Sequence, residues 1–165
     1  VRSSAASDVY KRQDVDSRQA MIPDTRLFAS QYDIYGPVWN PDSKGITFEY
    51  NERGHKVYRV LEMSAETAAV RTLIEETSDK YVNYPRHFRH DLSNGKRIIW
   101  MSERDNWNHL HMFDRETGAP LHRITQGPWY VREVIHVDEP GEKIYFSANG
   151  VNPDVDPYLL SLIHI

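Results

Sequence analysis

Short stretches that alternate apolar and polar residues recur along the middle of the chain, and turns containing glycine separate them. The stretch ITFEYN (46–51) is one example, and its alternation is typical of a half-buried strand. Gly45 and Gly95, which lie in two such turns, are fifty residues apart. Thr67 and Thr117 keep the same offset. Because a period of about 40–50 residues made of four short strands is typical of a propeller blade, the repeat predicts a propeller.

The predicted fold is all-β, a partial β-propeller of about three four-stranded antiparallel blades. We expect the blades at roughly 33–78, 84–127 and 129–160. A single four-stranded blade cannot cover both of its apolar faces, so neighbouring blades must stack against each other. A partial ring leaves strand edges and apolar blade faces uncovered at both ends. We therefore expect the isolated chain to self-associate.

The segment SAETAAVRTLIEETS (64–78) allows two structures. It contains enough Ala, Glu and Leu for a helix, and Ser64 could cap that helix. Its offset of fifty residues from DRETGAPLHRITQG (114–127) favours instead a turn followed by an outer strand. We expect the strand, because tertiary context often overrides helix propensity.

The two ends of the chain differ in character from the middle. Residues 1–20 are small, polar and charged, and we expect them to be disordered or to be artefactual translated sequence. DVYKRQ (8–13) and SLIHI (161–165) resemble strings that recur at the ends of translations from metagenomic reads. We therefore expect the propeller sequence within 21–160 and an artefactual tail at 161–165.

Composition excludes several classes of protein. The chain has 165 residues, of which 39% are hydrophobic and 27% charged, and this suits a globular domain with a core. Its formal net charge of −4 and the lack of a basic stripe argue against a nucleic-acid partner, and no apolar run reaches membrane-spanning length. The absence of cysteine excludes disulfides and thiolate metal sites. We expect no cofactor, no metal and no membrane partner.

The segment IIWMSERDNWNHLHMFD (98–114) places charged residues between two predicted strands. Ser102–Asp105 contains a hydroxyl and two carboxylates, which could belong to an active site. A nucleophilic serine needs a base within hydrogen-bonding reach and an oxyanion hole, and nothing nearby in the sequence supplies them. We therefore expect a hairpin turn, in which Arg104 pairs with a carboxylate such as that of Glu103.

Two histidines alternate on the strand that follows this turn. His109 and His111 would face the same side of the strand, and two imidazoles at that spacing can bind a metal ion. His90 or Asp114 could approach as a third ligand, but no third ligand is evident from the sequence. We favour a pair of packed histidines over a metal site.

Two phrases of the sequence, WMSERDNWNHLHMFDRETG (100–118) and ITQGPWYVREV (124–134), carry a resemblance to a known family. They resemble the N-terminal propeller of dipeptidyl peptidase IV-type serine peptidases, in the prolyl oligopeptidase superfamily. That family often carries Trp-x-Ser-Glu-Arg-Asp-Gly-Trp-x-His-Leu-Tyr, followed by Thr-x-Gly-x-Trp-x-Val. The glycine of the first phrase is Asn106 here, and asparagine also tolerates a left-handed backbone. The likeness covers roughly residues 30–160.

The resemblance implies a parent protein that is a bacterial serine-type dipeptidyl peptidase. In that family catalysis resides in a C-terminal α/β-hydrolase domain with a Gly-x-Ser-x-Gly elbow, followed by Asp and then His. No Gly-x-Ser-x-Gly occurs in this chain, so we expect no catalytic residue and no peptidase activity here. The propeller would gate and position peptide substrates for the hydrolase domain, and those two would be its partners. Because bacterial relatives are usually exported, the resemblance favours the periplasm.

The loop DKYVNYPRHF (79–88) is the stretch that the resemblance implies lies near substrate in the parent. The matching loop in dipeptidyl peptidases contributes an aromatic residue and an arginine near the bound peptide. The nearest positions here are Tyr81, Asn83, Tyr84 and Arg86. The alternative is a plain connector between blades, stiffened by Pro85.

A second function fits the same fold. Propellers also serve as non-catalytic modules that bind a ligand or another protein, and fold alone does not choose between these roles. The feature that separates the two is whether the gene continues into a hydrolase domain.

Overall fold

A computed structural model describes residues 12–156 and 158–165 of the chain. Almost all of its regular structure is β-strand, which confirms the predicted all-β class. The strands are β1 (Arg12–Gln13), β2 (Ala20–Met21), β3 (Gln31–Trp39), β4 (Gly45–Glu52), β5 (Val57–Ser64), β6 (Val70–Thr77), β7 (Arg89–Asp91), β8 (Arg97–Ser102), β9 (His109–Asp114), β10 (Pro120–Arg123), β11 (Tyr130–Asp138), β12 (Lys143–Asn149) and β13 (Leu160–His164). Two short 3-10 helices cover Arg26–Phe28 and Tyr84–Arg86. In the part of the chain described, no helix has the length and apolar character needed to cross a membrane.

The strands pair in chain order into antiparallel sheets. Sheets β3-β4-β5-β6 and β7-β8-β9-β10 have four strands each, whereas β11-β12-β13 has three in the described residues, and β1 pairs with β2 alone. The chain divides into two compact units, Val1–Tyr84 and Pro85–Ile165. The first unit contains the first four-stranded sheet, and the second contains the other four-stranded sheet and the three-stranded one.

The two ends fall partly outside the described structure. Residues 1–11, for which we predicted disorder or artefactual sequence, lie outside the described residues, while 12–13 and 20–21 pair as β1 and β2. Strand β13 includes most of the predicted tail 161–165 and pairs with β12. Strand pairing does not test whether a sequence is native, so the expectation of artefactual ends stays a prediction.

The segment 64–78 forms a turn and then strand β6, as the offset of fifty residues predicted. The Ser64 hydroxyl accepts hydrogen bonds from the backbone N–H groups of Glu66 (3.2 Å) and Thr67 (3.1 Å), which closes the turn. Ala68 then takes a left-handed φ of 57°, and Gly118 takes 73° at the matching place fifty residues later. A left-handed residue ends any helical turn, so the helical alternative is excluded.

One face of the first sheet is covered by the chain that precedes it. The cluster contains Phe28, Phe48, Tyr50, Leu61 and Met63, all buried. Phe28 comes from the first 3-10 helix and packs edge to face on Phe48, with ring centroids 5.6 Å apart. The Arg59 guanidinium donates to the Leu27 carbonyl (2.8 Å) and so fixes the same helix to β5.

The two sheets of the second unit bury their apolar faces against each other. Their shared core contains Ile99, Met101 and Leu110 from one sheet and Val131, Ile144, Phe146 and Ala148 from the other. Each of these side chains would lie on an uncovered face if either sheet stood alone, so burial of apolar surface drives the stacking. This is the packing between neighbouring blades that the repeat predicted.

A carboxylate joins the first turns of these two sheets. Glu139 follows β11 and accepts hydrogen bonds from the backbone N–H (2.8 Å) and the hydroxyl (2.5 Å) of Ser93, in the β7–β8 turn. Its other oxygen lies 2.9 Å from Nε2 of His90. These interactions, led by the Ser93 hydroxyl, lower the pKa of Glu139 from 4.5 to about 2 because they favour the charged form.

We expect Glu139→Gln to destabilise the second unit at neutral pH. The pKa of Glu139 is lower in the folded state, so its contribution is complete above pH 4.5 and is lost as the pH falls toward about 2. Urea unfolding followed by tryptophan fluorescence measures this, because Trp100, Trp107 and Trp129 lie in the second unit.

The urea midpoint of the wild type should exceed that of Glu139→Gln at neutral pH, and the gap should narrow below pH 4.5. Glu133→Gln, a change at an exposed position of β11, is the matched control and should leave the midpoint unaltered. A gap of the same size at pH 7 and at about pH 3 would show that the carboxylate does not stabilise the fold through its charge.

Candidate functional site

Four aromatic rings form a half-exposed surface on the first unit, which we call the tyrosine cluster: Tyr32, His55, Tyr81 and Tyr84. His55 lies at its centre, stacked on Tyr84 with ring centroids 4.8 Å apart and an interplanar angle of 22°. Tyr32 and Tyr81 meet the imidazole edge to face, at 4.5 and 5.7 Å. Tyr32 and Tyr81 keep 51% and 48% of their surface exposed, so part of the cluster's aromatic surface is accessible to solvent.

Three separate elements supply these rings. Tyr32 lies at the start of β3, His55 in the β4–β5 turn, and Tyr81 and Tyr84 in the loop after β6. Neighbouring strands are antiparallel. The start of β3, the β4–β5 turn and the end of β6 therefore lie at the same end of the sheet. The topology therefore brings residues more than twenty positions apart in the sequence to a single site.

A buried amide supports the imidazole from within the sheet. Asn51, near the end of β4, is only 1% exposed, and its Oδ1 lies 3.1 Å from Nδ1 of His55. Because an amide oxygen can only accept, Nδ1 carries the hydrogen. Asn51 thus connects the cluster to the interior of the first unit.

Of the four residues predicted to lie near substrate, two belong to the tyrosine cluster and two do not. Tyr81 and Tyr84 both belong to the tyrosine cluster, with ring centroids 5.9 Å apart. Asn83 lies between them and is half-buried, and Arg86 is exposed at the end of the second 3-10 helix, in the second unit. Tyr32 and His55 are not among the residues predicted from the sequence.

The charged segment at 102–107 is a hairpin turn between β8 and β9, as predicted. The backbone N–H of Asn106 donates to the Glu103 carbonyl (3.0 Å), and Asn106 has a φ of 67°, the left-handed conformation expected of the residue in the glycine position. Ser102 is fully buried, and its hydroxyl accepts hydrogen bonds from the backbone N–H and the Nε–H of Arg104, both at 3.1 Å. A hydroxyl held in this way inside the fold is not available as a nucleophile.

Arg104 folds back over its own hairpin. Its guanidinium carbon lies 5.0 Å from the ring centroid of Phe113, within the range of a cation–π interaction. The neighbouring Asp105 pairs with Arg123 at 3.3 Å, on the surface. The charges of this turn therefore stabilise the second sheet locally.

His109 is a structural residue of the second unit. It is 2% exposed, and its Nε2 lies 3.0 Å from the Gly127 carbonyl, which can only accept, so Nε2 carries the hydrogen. Nδ1 of the neutral ring then accepts from the Thr125 hydroxyl (3.0 Å), and that hydroxyl accepts from the Leu110 N–H (2.9 Å). Both ring nitrogens are used inside the protein, so the ring has no nitrogen left for a metal ion.

The corner after β10 is fixed by further contacts. Asn108 and Val131 exchange two hydrogen bonds, one from the Val131 N–H (2.8 Å) and one from the Asn108 side-chain amide (2.9 Å). Trp129 stacks on Phe146 at 6.1 Å. Gly127 has a φ of 134°, and a Cβ there would lie 2.4 Å from the Trp129 indole nitrogen, so no other residue fits.

The residues considered as further metal ligands are engaged elsewhere. His111 is buried opposite Trp100, His90 contacts Glu139, and the Asp114 carboxylate accepts from the backbone N–H of Thr117 (2.7 Å). Across residues 12–156 and 158–165, no three metal-binding side chains come together.

Comparison with known families decides the classification. The family described as the dipeptidyl peptidase IV (DPP IV) N-terminal region matches residues 3–157 of the chain. The chain belongs to this family. The resemblance drawn from residues 100–134 is thereby confirmed, and the all-β sheets are part of a DPP IV-type propeller.

Two crystal structures of bacterial proteins share the fold. One is the dipeptidyl peptidase 4 of Porphyromonas gingivalis, with a TM-score of 0.72 and 16% identity over 94% of this chain. The other is a candidate dipeptidyl aminopeptidase IV from Bacteroides ovatus, with a TM-score of 0.65 and 20% identity over 93% of this chain. The match spans only 21% and 23% of those proteins, so the chain corresponds to about a fifth of their length.

Thr125→Val tests the hydrogen bonds of the corner. Valine has the same shape but leaves the Leu110 N–H and the His109 Nδ1 without their partner, and each unsatisfied buried group costs roughly 1–3 kcal/mol. We expect the free energy of unfolding to fall by at least about 1 kcal/mol, measured by urea unfolding. Thr72→Val, at a half-buried position of β6, is the control and should have little effect. Equal midpoints for Thr125→Val and wild type would show that the corner does not depend on the hydroxyl.

Proposed function

We propose that the chain is part of the propeller of a DPP IV-like serine exopeptidase, and that the propeller gates and positions peptide substrates for a C-terminal hydrolase domain. The tyrosine cluster is the observation that carries this proposal. It contains both tyrosines of the loop that the resemblance implies lies near substrate, and Tyr81 keeps 48% of its surface exposed. Membership of the DPP IV N-terminal family supports the same assignment.

The chemistry of the cluster suits a peptide. Tyrosine offers a rigid apolar ring with a polar hydroxyl at its edge, so it can pack against small or cyclic side chains such as alanine and proline while hydrogen bonding to peptide groups. A protonated amino terminus close to the ring faces would gain a cation–π attraction. The partners proposed for the propeller are therefore a peptide substrate and the hydrolase domain of the same protein.

Catalysis would be supplied from outside these 165 residues. The chain has no Gly-x-Ser-x-Gly sequence, and the buried hydroxyl of Ser102 is taken up by Arg104. The first test is to read the gene through its flanking DNA. We expect an open frame that runs on into Gly-x-Ser-x-Gly, then Asp and His, and we expect no turnover of an Ala-Pro chromogenic substrate by the purified chain.

The two outcomes of that test separate the two functions. A frame that closes the propeller and stops would contradict the peptidase assignment and favour a ligand-binding or protein-interaction module. Measurable hydrolysis by the purified chain, free of contaminating peptidase, would contradict the proposed division of labour between propeller and hydrolase.

A peptide titration tests the role of the cluster directly. We expect an Ala-Pro-Ala peptide to shift the NMR signals of Tyr81 and Tyr84 in the labelled chain. Because an aromatic contact is worth roughly 0.5–1.5 kcal/mol, Tyr84→Ala should weaken binding about two- to tenfold. Tyr145→Ala, at a half-buried tyrosine of β12, is the matched control and should leave binding unaltered. If the peptide shifts no cluster signal at millimolar concentration, the cluster does not contact substrate.

A further inference from the structure

We propose that His55 is a positioning residue: it holds Tyr81 and Tyr84 in the geometry that receives a ligand, without contacting the ligand's reacting bond. The proposal deepens the function proposed above and rests on it for the identity of the ligand. Its structural part, the control of the loop by His55, can be tested without any ligand.

His55 holds the loop at two successive places. Its backbone carbonyl accepts the N–H of Val82 at 2.8 Å, in the middle of the loop. Its ring stacks on Tyr84, two residues after Val82, and contacts Tyr81, one residue before Val82. A single residue of the β4–β5 turn thus fixes the backbone of the loop and both of its aromatic side chains.

The start of the loop is fixed separately. The Ser78 hydroxyl accepts the backbone N–H groups of Lys80 (3.2 Å) and Tyr81 (3.1 Å). Val82 is buried and serves as the apolar anchor of the loop. Ser78 therefore fixes the path of the chain before Val82, whereas His55 fixes Val82 and the orientation of the two rings.

The β4–β5 turn that carries His55 has a left-handed backbone. Its φ is 55°, in the left-handed region, which glycine and asparagine adopt more readily than histidine. The residue before it is Gly54, also left-handed at 98°, so this turn is built from two consecutive left-handed residues. The imidazole that this turn presents is tied through Nδ1 to the buried Asn51.

Ligand affinity should depend on these contacts more strongly than stability does. The cluster is half-exposed, so the folded state loses little buried surface when the ring is removed. A loop whose rings are no longer oriented must be ordered when the ligand binds, and that ordering lowers affinity. Removing His55 should therefore act on the ligand through Tyr81 and Tyr84.

His55→Asn is the decisive variant. Asparagine accepts the left-handed backbone, so the backbone carbonyl of residue 55 can still accept from Val82, but the aromatic ring is lost. We expect the hydrogen exchange of the Val82 amide to become about tenfold faster, while the thermal midpoint falls only slightly, through the lost hydrogen bond to Asn51. His122→Asn, at an exposed histidine of β10, is the matched control and should alter neither quantity. His55→Phe restores a ring against Tyr84 and should restore most of the protection of Val82.

The Ala-Pro-Ala titration then links the loop to the ligand. Affinity should fall in His55→Asn by about the same factor as in Tyr84→Ala, and the double variant should lose little more, because the two residues act through one contact. Additive losses would show that His55 acts independently of Tyr84, and would overturn the proposal.

The two measurements can fail separately. Unaltered exchange at Val82 in His55→Asn would overturn the positioning role, whatever the peptide does. Faster exchange at Val82 together with no peptide binding by the wild type would sustain the control of the loop and contradict the proposed function. A strongly lowered thermal midpoint in His55→Asn, with global loss of protection, would show that His55 is a residue of the fold alone.

Discussion

The second unit depends on the hydrogen bonds that run from the start of β9 to the corner after β10. His109 bonds to Thr125 and Gly127, and Asn108 bonds twice to Val131. These bonds set the direction in which the chain leaves one sheet and enters the next. Only with that direction fixed can the two sheets meet and share one apolar core. These hydrogen bonds therefore join the two phrases typical of the family. Asn108 and His109 belong to the first phrase, and Thr125, Gly127 and Val131 belong to the second.

The fold could be predicted where side chains alternate and not where strands are irregular. Strands β4, β8 and β9 match the predicted stretches closely, because β4 pairs with β5, and β8 with β9, without a register shift. Strand β3 was not identified as a strand from its residues, since Gly36 and Pro37 interrupt it and its pairing with β4 shifts register there. Strand β11 pairs with two register shifts, which remove the alternation in the same way.

Half of the tyrosine cluster could be anticipated and half could not. Tyr81 and Tyr84 belong to one loop, so a likeness in that loop was enough to name them. Tyr32 and His55 come from other elements, and only the antiparallel pairing of β3, β4 and β5 brings them to the same end of the sheet as the loop. The left-handed φ of His55 has no signal in its residue type, since glycine or asparagine is what such a turn predicts.

His109 in the second unit and His55 in the first have opposite surroundings, and this contrast agrees with the ligand site proposed at the tyrosine cluster. Both ring nitrogens of His109 are hydrogen-bonded inside a buried corner, so neither is available to a ligand. His55 is tied to the interior through Nδ1 alone, and the rest of its ring faces three tyrosines, two of them half-exposed. A polar group that is satisfied and buried specifies structure, whereas one that orders exposed aromatic rings prepares a surface for a partner. The charged turn at 102–107, which first suggests an active site, is thus structural, and the β4–β5 turn that carries His55 supports the candidate site.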